Sequence, residues 1–228
     1  MSAAAAPRLP PDDSRRGRFV TFEGGEGAGK SSQVTRLAER LRGLGHEVVV
    51  TREPGGSSGA EAVRHVLLSG AAQAFGPLAE ALLFAAARAD HVDQTILPAL
   101  AAGRWVISDR FFDSTRVYQG LEGAVAPETV AILEDVAVGD CRPDLTVLLD
   151  LPVEVGLRRA DLRRGDGAID RFEGEAMEIH DARRRAFLAL ARAEPDRFVV
   201  VDAAHDPATV AEAIWYAVRT RLALPVHG

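Results

Sequence analysis

Gly24-Gly25-Glu26-Gly27-Ala28-Gly29-Lys30-Ser31 has the spacing G-x-x-x-x-G-K-S. A glycine-rich turn of this kind aims successive backbone N–H groups at one point, and a helix starting there adds its own unpaired donors. The product is a cradle for a polyphosphate. Lys30 would bridge the β- and γ-phosphates, and the Ser31 hydroxyl would take a place on Mg²⁺. Of the 27 Lys+Arg, this one is the only lysine and the other 26 are arginines. A guanidinium is a broad planar fork, whereas an ammonium is a point charge that fits between phosphate oxygens. The lone lysine therefore marks a steric and electrostatic requirement.

The loop alone implies ATP or GTP and does not say what is done with it. A guanine-reading switch needs an Asn-Lys-x-Asp segment, and the chain has neither asparagine nor a second lysine. Glu26 is unusual among phosphate charges. It calls for a donor such as the sugar hydroxyl of a second nucleotide or a hydrated Mg²⁺, unless it faces solvent. Arg52, in Thr51-Arg52-Glu53-Pro54-Gly55-Gly56-Ser57, and Arg110, after Asp109, add two guanidiniums suited to a bidentate grip on phosphate. A hydrolase needs only to place water, while a kinase must hold an acceptor phosphate in line with the donor. Two further arginines favour the acceptor; the lesser alternative is that each is a structural bridge to Glu53 or Asp109.

The elements that must position these groups alternate along the chain. Short apolar runs at 19–22, 47–51, 105–108, 145–149 and 198–201 predict strands. Helices are expected at 31–44, 59–69, 77–101 with a bend or break at Pro98, 112–120, 127–138, 153–172 as an arginine-rich helix and loop, 174–193 and 207–223. In the first of them Val34, Leu37, Ala38 and Leu41 recur at three- and four-residue steps. Continuous apolar strands alternating with helices predict an α/β fold with a buried parallel sheet covered on both faces. Ligands then bind at the carboxyl ends of the strands, where Glu23-Gly24, Arg52-Glu53 and Asp109-Arg110 fall.

The length of 228 residues fits one domain over 18–224, preceded by an Ala-, Pro- and Arg-rich extension at 1–17 expected to be disordered. The net charge of −6 weighs against a dedicated nucleic-acid binder. A single cysteine, Cys141, excludes an intrachain disulfide or a multi-cysteine metal site, and a cytoplasmic location is the expectation. No apolar run is long enough to span a membrane. The six histidines show no ligand spacing and are read as structural or surface residues.

The order of motifs is more specific than any one of them. Phe22-Glu23-Gly24 through Ser31, Thr51–Gly56, Asp109-Arg110-Phe111-Phe112-Asp113-Ser114-Thr115-Arg116-Val117-Tyr118-Gln119-Gly120 and Asp170-Arg171-Phe172-Glu173 together resemble the thymidylate kinases over about residues 18–222. The resemblance implies a three-layer P-loop nucleoside monophosphate kinase fold with a five-stranded parallel sheet and a short lid at about 158–172. It implies Mg²⁺-dependent transfer of the ATP γ-phosphoryl group to dTMP, in dTTP biosynthesis, by a homodimer packed through helices; the helix at 77–101 would suit that face, and a core role explains its pattern equally well.

Roles follow from the same resemblance. Residues Gly24, Gly25, Glu26, Gly27, Ala28, Gly29, Lys30, Ser31 and Ser32 would bind ATP. Glu26, Arg52, Phe84, Arg88, Arg110, Ser114, Thr115, Tyr118 and Gln119 would bind dTMP. Phe84 would stack on thymine and Arg88 would donate to its O4; an arginine only donates and thymine O4 only accepts, so cytosine would be refused. Tyr118 would stand where a ribose 2′-hydroxyl would be, and Glu26 would meet the 3′-hydroxyl. Ser31 and Asp109 would serve the metal, with Glu23 and Glu173 as possible members of that network. Lys30, Arg52, Arg110 and the lid residues Arg163 and Arg164 would be catalytic, with Arg158 and Arg171 as further candidates; the phosphate loop carries Glu26 and no arginine, as in members that rely on a basic lid. The departures are Ser57 and Phe111, Arg116, which would add a cation near the acceptor, and glycines at 165 and 167 in the lid. The residues leave open a kinase for another nucleotide and an ATPase of DNA metabolism or protein assembly.

Overall fold

Five short apolar runs become strands: β1 (Phe19–Gly24), β2 (Val48–Arg52), β3 (Trp105–Asp109), β4 (Leu145–Asp150) and β5 (Phe198–Asp202). The computed structural model describes residues 16–120, 124–164 and 176–224. The strands pair in parallel in the order β2-β3-β1-β4-β5. The inner three are almost wholly buried, whereas Val50 and Val200 on the edges are exposed. This is the α/β fold with a five-stranded parallel sheet expected from the sequence.

Nine α-helices are described: α1 (Lys30–Gly43), α2 (Ser58–Leu68), α3 (Gly76–His91), α4 (Leu97–Ala101), α5 (Phe112–Tyr118), α6 (Pro127–Val138), α7 (Val153–Arg164), α8 (Met177–Ala193) and α9 (Pro207–Arg221). Side chains alternate across a strand, so Val20, Phe22, Leu145, Val147 and Leu149 face one way and Phe19 and Leu148 the other. The first set packs on Val34, Leu37, Ala38 and Leu41 of α1 and on Val210, Ile214 and Val218 of α9. On the opposite face Phe19 and Val106 meet Val92, Ile96, Leu100, Phe111 and Phe112, while Leu148 meets Phe187 and Ala191 of α8. Cutting a fully buried residue such as Leu41 to alanine would cost about 2–5 kcal/mol. No helix among the described residues is long and apolar enough to cross a membrane.

Two local features differ from the sequence-based expectation. The long helix breaks at a π-helical turn, Val92–Ile96, rather than at Pro98. Pro98 sits in the first turn of α4, where its missing N–H costs nothing, and the ladder widens before it. A 3₁₀ turn, Ala71–Phe75, also precedes α3. At the other end of the chain, Arg16 and Gly17 are already tied down. Arg16 pairs with Asp144 at 2.5 Å, and the Gly17 N–H donates to the Leu100 carbonyl at 2.9 Å. A Cβ at 17 would come within 1.7 Å of the Arg104 oxygen, so only glycine fits there.

Register brings the functional ends together. Asp109 is level with Arg52 on one side and with Phe22 on the other. The Glu53 N–H donates to the Asp109 carbonyl and the Arg110 N–H to the Phe22 carbonyl, each at 2.9 Å. The exits of β1, β2 and β3 thus share one rim.

Candidate active site

The phosphate loop is shaped by contacts that only glycine permits. Gly27 has φ +68°, and a Cβ there would lie 1.9 Å from the Gly156 carbonyl oxygen on α7. Lys30 is buried, and its Nζ donates to the carbonyls of Gly24 at 3.0 Å and Gly25 at 2.9 Å. Burial, and then Arg110, pull its pKa below the usual value for lysine, against the opposing charges of Glu26, Asp109 and Glu23. The Ser31 hydroxyl donates to Asp109 Oδ2 at 2.6 Å. A hydroxyl beside a carboxylate offers the hard oxygens that Mg²⁺ takes, so this donor set fits that ion. Residues 26–32, Arg52, Glu53, Arg64, Asp109, Arg110 and Arg163 line the cleft above the loop.

Arg110 anchors the far wall from a left-handed backbone, φ +71°, unusual for a residue with a Cβ. The Ser108 hydroxyl holds that turn by donating to the Arg110 carbonyl at 2.7 Å. The guanidinium donates to Glu26 Oε1 at 2.7 Å and Ser114 Oγ at 3.1 Å and lies over the Tyr118 ring. Burial works against the Glu26 charge, but Arg110 and then Lys30 outweigh it and hold the carboxyl down at about 2. Tyr118 donates to the same Oε1 at 3.3 Å, while Oε2 accepts no hydrogen bond among the described residues. Burial pushes the Tyr118 phenol up to about 12, so it remains a donor. Arg52 pairs with neither Glu53 nor Asp109; its exposed guanidinium meets Glu61 of α2 at 3.0 and 3.3 Å. An exposed pair of this sort is worth little, so the guanidinium is readily given to a stronger anion.

A second cleft, of about 150 Å³, opens beside the first. Phe84, Arg88, Ser114, Thr115, Tyr118 and Gln119 all line it. Arg88 is buried. Its Nε donates to Glu53 Oε2 at 2.7 Å, and its Nη2 to Thr115 Oγ1 at 3.0 Å and the Phe111 carbonyl at 3.3 Å. Nη1 has no protein acceptor among the described residues. Gln119 is fixed by its amide, which donates to buried Glu80 at 2.9 Å. Glu53, Arg64 and Arg110 line both clefts.

Two candidates point elsewhere. Glu23, expected as a possible member of the magnesium network, is fully buried beneath the Arg110–Ser114 turn. It accepts from the Phe111 N–H at 2.9 Å and the Ser114 hydroxyl at 2.7 Å. Burial pushes its carboxyl up to about 7, with Arg110 opposing and Asp113 adding to the rise. Arg116, expected near the acceptor, turns away to Glu134 at 2.7 Å and Glu194 at 2.6 Å over the Phe112 ring. The helical period of 100° per residue explains it. Ser114, Thr115 and Tyr118 share one face of α5, while Asp113 and Arg116 share another. Arg163 lines the phosphate cleft, Arg158 is exposed, and the Arg164 side chain lies outside the described residues, as do Arg171, Glu173 and the lid positions 165–172. Sequence reasoning missed Glu61 and Arg64. Their signal was available in the helical steps Ser57, Ala60, Glu61 and Arg64 leading away from the loop.

The family model described as thymidylate kinase matches residues 22–214. The chain is 56% identical over 222 residues to the thymidylate kinase of Bradyrhizobium sp. (strain ORS 278), covering 97% of this chain and 96% of that one. It is 58% identical over 207 residues to that of Bradyrhizobium sp. (strain BTAi1 / ATCC BAA-1182), covering 91% and 92%. Among solved structures, thymidylate kinase from Ehrlichia chaffeensis superposes with a TM-score of 0.72 at 31% identity, over 89% of this chain and 99% of that one. With a phosphate cleft and a second, arginine-walled cleft meeting at the end of the sheet, the chain belongs to the thymidylate kinase family.

Proposed function

We propose that this chain transfers the γ-phosphoryl group of ATP to dTMP, giving dTDP and ADP, with Mg²⁺, on the way to dTTP. The observation that carries this reading is the meeting of the two clefts at Glu53, Arg64 and Arg110. A hydrolase would need no second cleft that shares a wall of arginines with the first.

In this reading Lys30 leaves the two loop carbonyls for the β- and γ-phosphates. Arg110 and Arg52 hold the acceptor phosphate in line, and an oxygen of that phosphate attacks the γ-phosphorus. The new P–O bond forms as the β–γ bridging bond breaks, and ADP leaves. Arg163, with Arg164, spreads over the transferring group and stabilises its charge. Ser31 and Asp109 would hold Mg²⁺, which neutralises the phosphate oxygens when bound. Little general-base work is required, because positioning and charge carry the rate. Phe84 stacks on the base, Nη1 of Arg88 reaches O4 beside Thr115, and Ser114 and Gln119 complete the wall. Oε2 of Glu26 takes the 3′-hydroxyl, and Tyr118 fills the space of a 2′-hydroxyl. A single kinase domain at 18–224, with a lid at 158–172, acts in the cytoplasm.

We also propose a homodimer. Phe75, Leu78 and Leu82 at α3, and Ile132 and Val136 on α6, are exposed apolar residues on two helices that pack together. Each helix repeats them at one-turn spacing, an apolar face with a natural partner in its own copy. Sedimentation should give twice the chain mass, and Val136→Glu should lower it.

The reading itself is tested by ADP release with Mg-ATP and each of dTMP, dUMP, UMP, dCMP, AMP and GMP. Turnover should be strongest with dTMP. Stronger turnover with another monophosphate would move the acceptor, and ADP release independent of any acceptor would overturn the kinase reading.

A further inference from the structure

We propose that His91 is a positioning residue for base recognition: with Thr51 it fixes the Glu53 carboxylate, and that carboxylate sets the plane of the Arg88 guanidinium. The inference rests on the dTMP reading above and adds a determinant of its specificity that touches no substrate.

The arrangement starts at the end of β2. Side chains alternate there, so Thr51 and Glu53 turn inward and are buried, while Arg52 between them turns out and is 57% exposed. Arg88 and His91 are one helical turn apart on α3 and share a face. The His91 ring, with no exposure, lies between the two inward residues. Its Nδ1 is 3.0 Å from Glu53 Oε1, and its Nε2 is 2.7 Å from Thr51 Oγ1. A carboxylate oxygen only accepts, so Nδ1 carries the proton, and Nε2 shares a hydrogen bond with the Thr51 hydroxyl.

Both oxygens of Glu53 are thereby committed, Oε1 to His91 and Oε2 to Nε of Arg88. The guanidinium is held at Nε by Glu53 and at Nη2 by Thr115, which leaves Nη1 to face the cleft. Without His91 the buried Oε1 loses its donor, and an unpartnered buried carboxylate oxygen is costly. The carboxylate would then rotate onto Arg88 and draw the fork out of line with the base. The space around the pair is tight. A Cβ at Gly56 would come within 2.3 Å of Thr51 Oγ1 and 2.4 Å of His91 Nε2, and Thr95 fixes that turn by donating to the Gly56 carbonyl at 2.8 Å.

The test uses two amides that mimic one ring nitrogen each. In His91→Asn the amide N–H stands about where Nδ1 stood and keeps the Glu53 contact. In His91→Gln the amide reaches the Nε2 position and loses it. Kd for dTMP and dCMP is measured by calorimetry beside kcat and KM for both. His91→Gln should raise KM for dTMP and reduce the dTMP-to-dCMP preference by about tenfold, with a much smaller change in kcat. His91→Asn should keep most of the preference. An unchanged preference in His91→Gln, or an equal loss in both variants, would overturn the proposal. If His91→Gln does not fold, Thr51→Val decides. A preference reduced by about threefold supports the relay, and an unchanged one overturns it. The wild-type acceptor profile tests the dTMP reading separately, so the two can fail independently.

Discussion

The two clefts of this protein are built by opposite means. The floor of the first cleft is backbone: a glycine loop, a helix start and one lysine held by carbonyls of its own loop. The second cleft, the proposed base site, is mostly side chains, and its central arginine is held by a carboxylate and a threonine, the carboxylate in turn by a histidine. A backbone site is rigid and indifferent to which nucleotide it holds, whereas a side-chain site is selective and depends on each supporting bond. Changes in the first should therefore cost turnover, and changes in the second should cost discrimination.

The largest effect tests the first half of that contrast. Lys30→Ala should lower kcat by about a thousandfold or more with the fold intact by circular dichroism. Near-normal turnover would remove the phosphate-loop assignment. Gly27→Ala should be next. It forces a Cβ onto the Gly156 carbonyl from a left-handed backbone, and should lower stability in urea by about 2–4 kcal/mol. A mild effect there would mean the loop is softer than its geometry implies.

Tyr118→Ala sharpens the second half. Its ring lies between Arg110 at 5.1 Å and Arg183 at 4.3 Å. Removing it should raise UMP turnover relative to dUMP by about tenfold, with a lesser loss of kcat for dTMP. Unchanged relative rates would show that it does not gate the sugar.

The most gradual expected effect, spread over several pH units, concerns two carboxylates three residues apart. Folded Glu23 keeps its proton up to about 7, while in the unfolded chain it is lost near 4.5. The folded state binds more protons between those values, so stability falls as pH rises from 4.5 to 7, by up to about 1.4 kcal/mol per pH unit. Glu26 has the opposite sign. Its folded value near 2 makes stability grow as pH rises from 2 to 4.5. Urea titrations should show Glu23→Gln flattening the upper window and Glu26→Gln the lower. Equal slopes in both variants would erase the distinction.

The same division explains what the sequence made legible. The phosphate loop is continuous in the chain, so its spacing placed residues 26–32 together on one cleft wall. The strand ends were legible because apolar runs stop at Arg52 and Asp109. Glu61, Arg64 and the route from His91 to Arg88 were not, because each joins elements distant in sequence through a helix face whose rotation packing decides. Arg116 shows the converse error. Its neighbours belong to the motif, but its own direction belongs to the core.

The contact between Gly27 and Gly156 has a mechanical consequence. Two glycines let the first turn of α7 sit flush on the phosphate loop, and a Cβ at 156 would likewise strike the Glu26 carbonyl at 2.4 Å. Such a contact would serve as a fulcrum. Arg163 lies seven residues along the same helix, about 10 Å up the shaft at 1.5 Å per residue. A tilt of about 20° about that bearing would swing the guanidinium's root by about 3–4 Å, the width of a phosphate oxygen shell. The loop that would grip the nucleotide would then also be the pivot of the arm that carries Arg163.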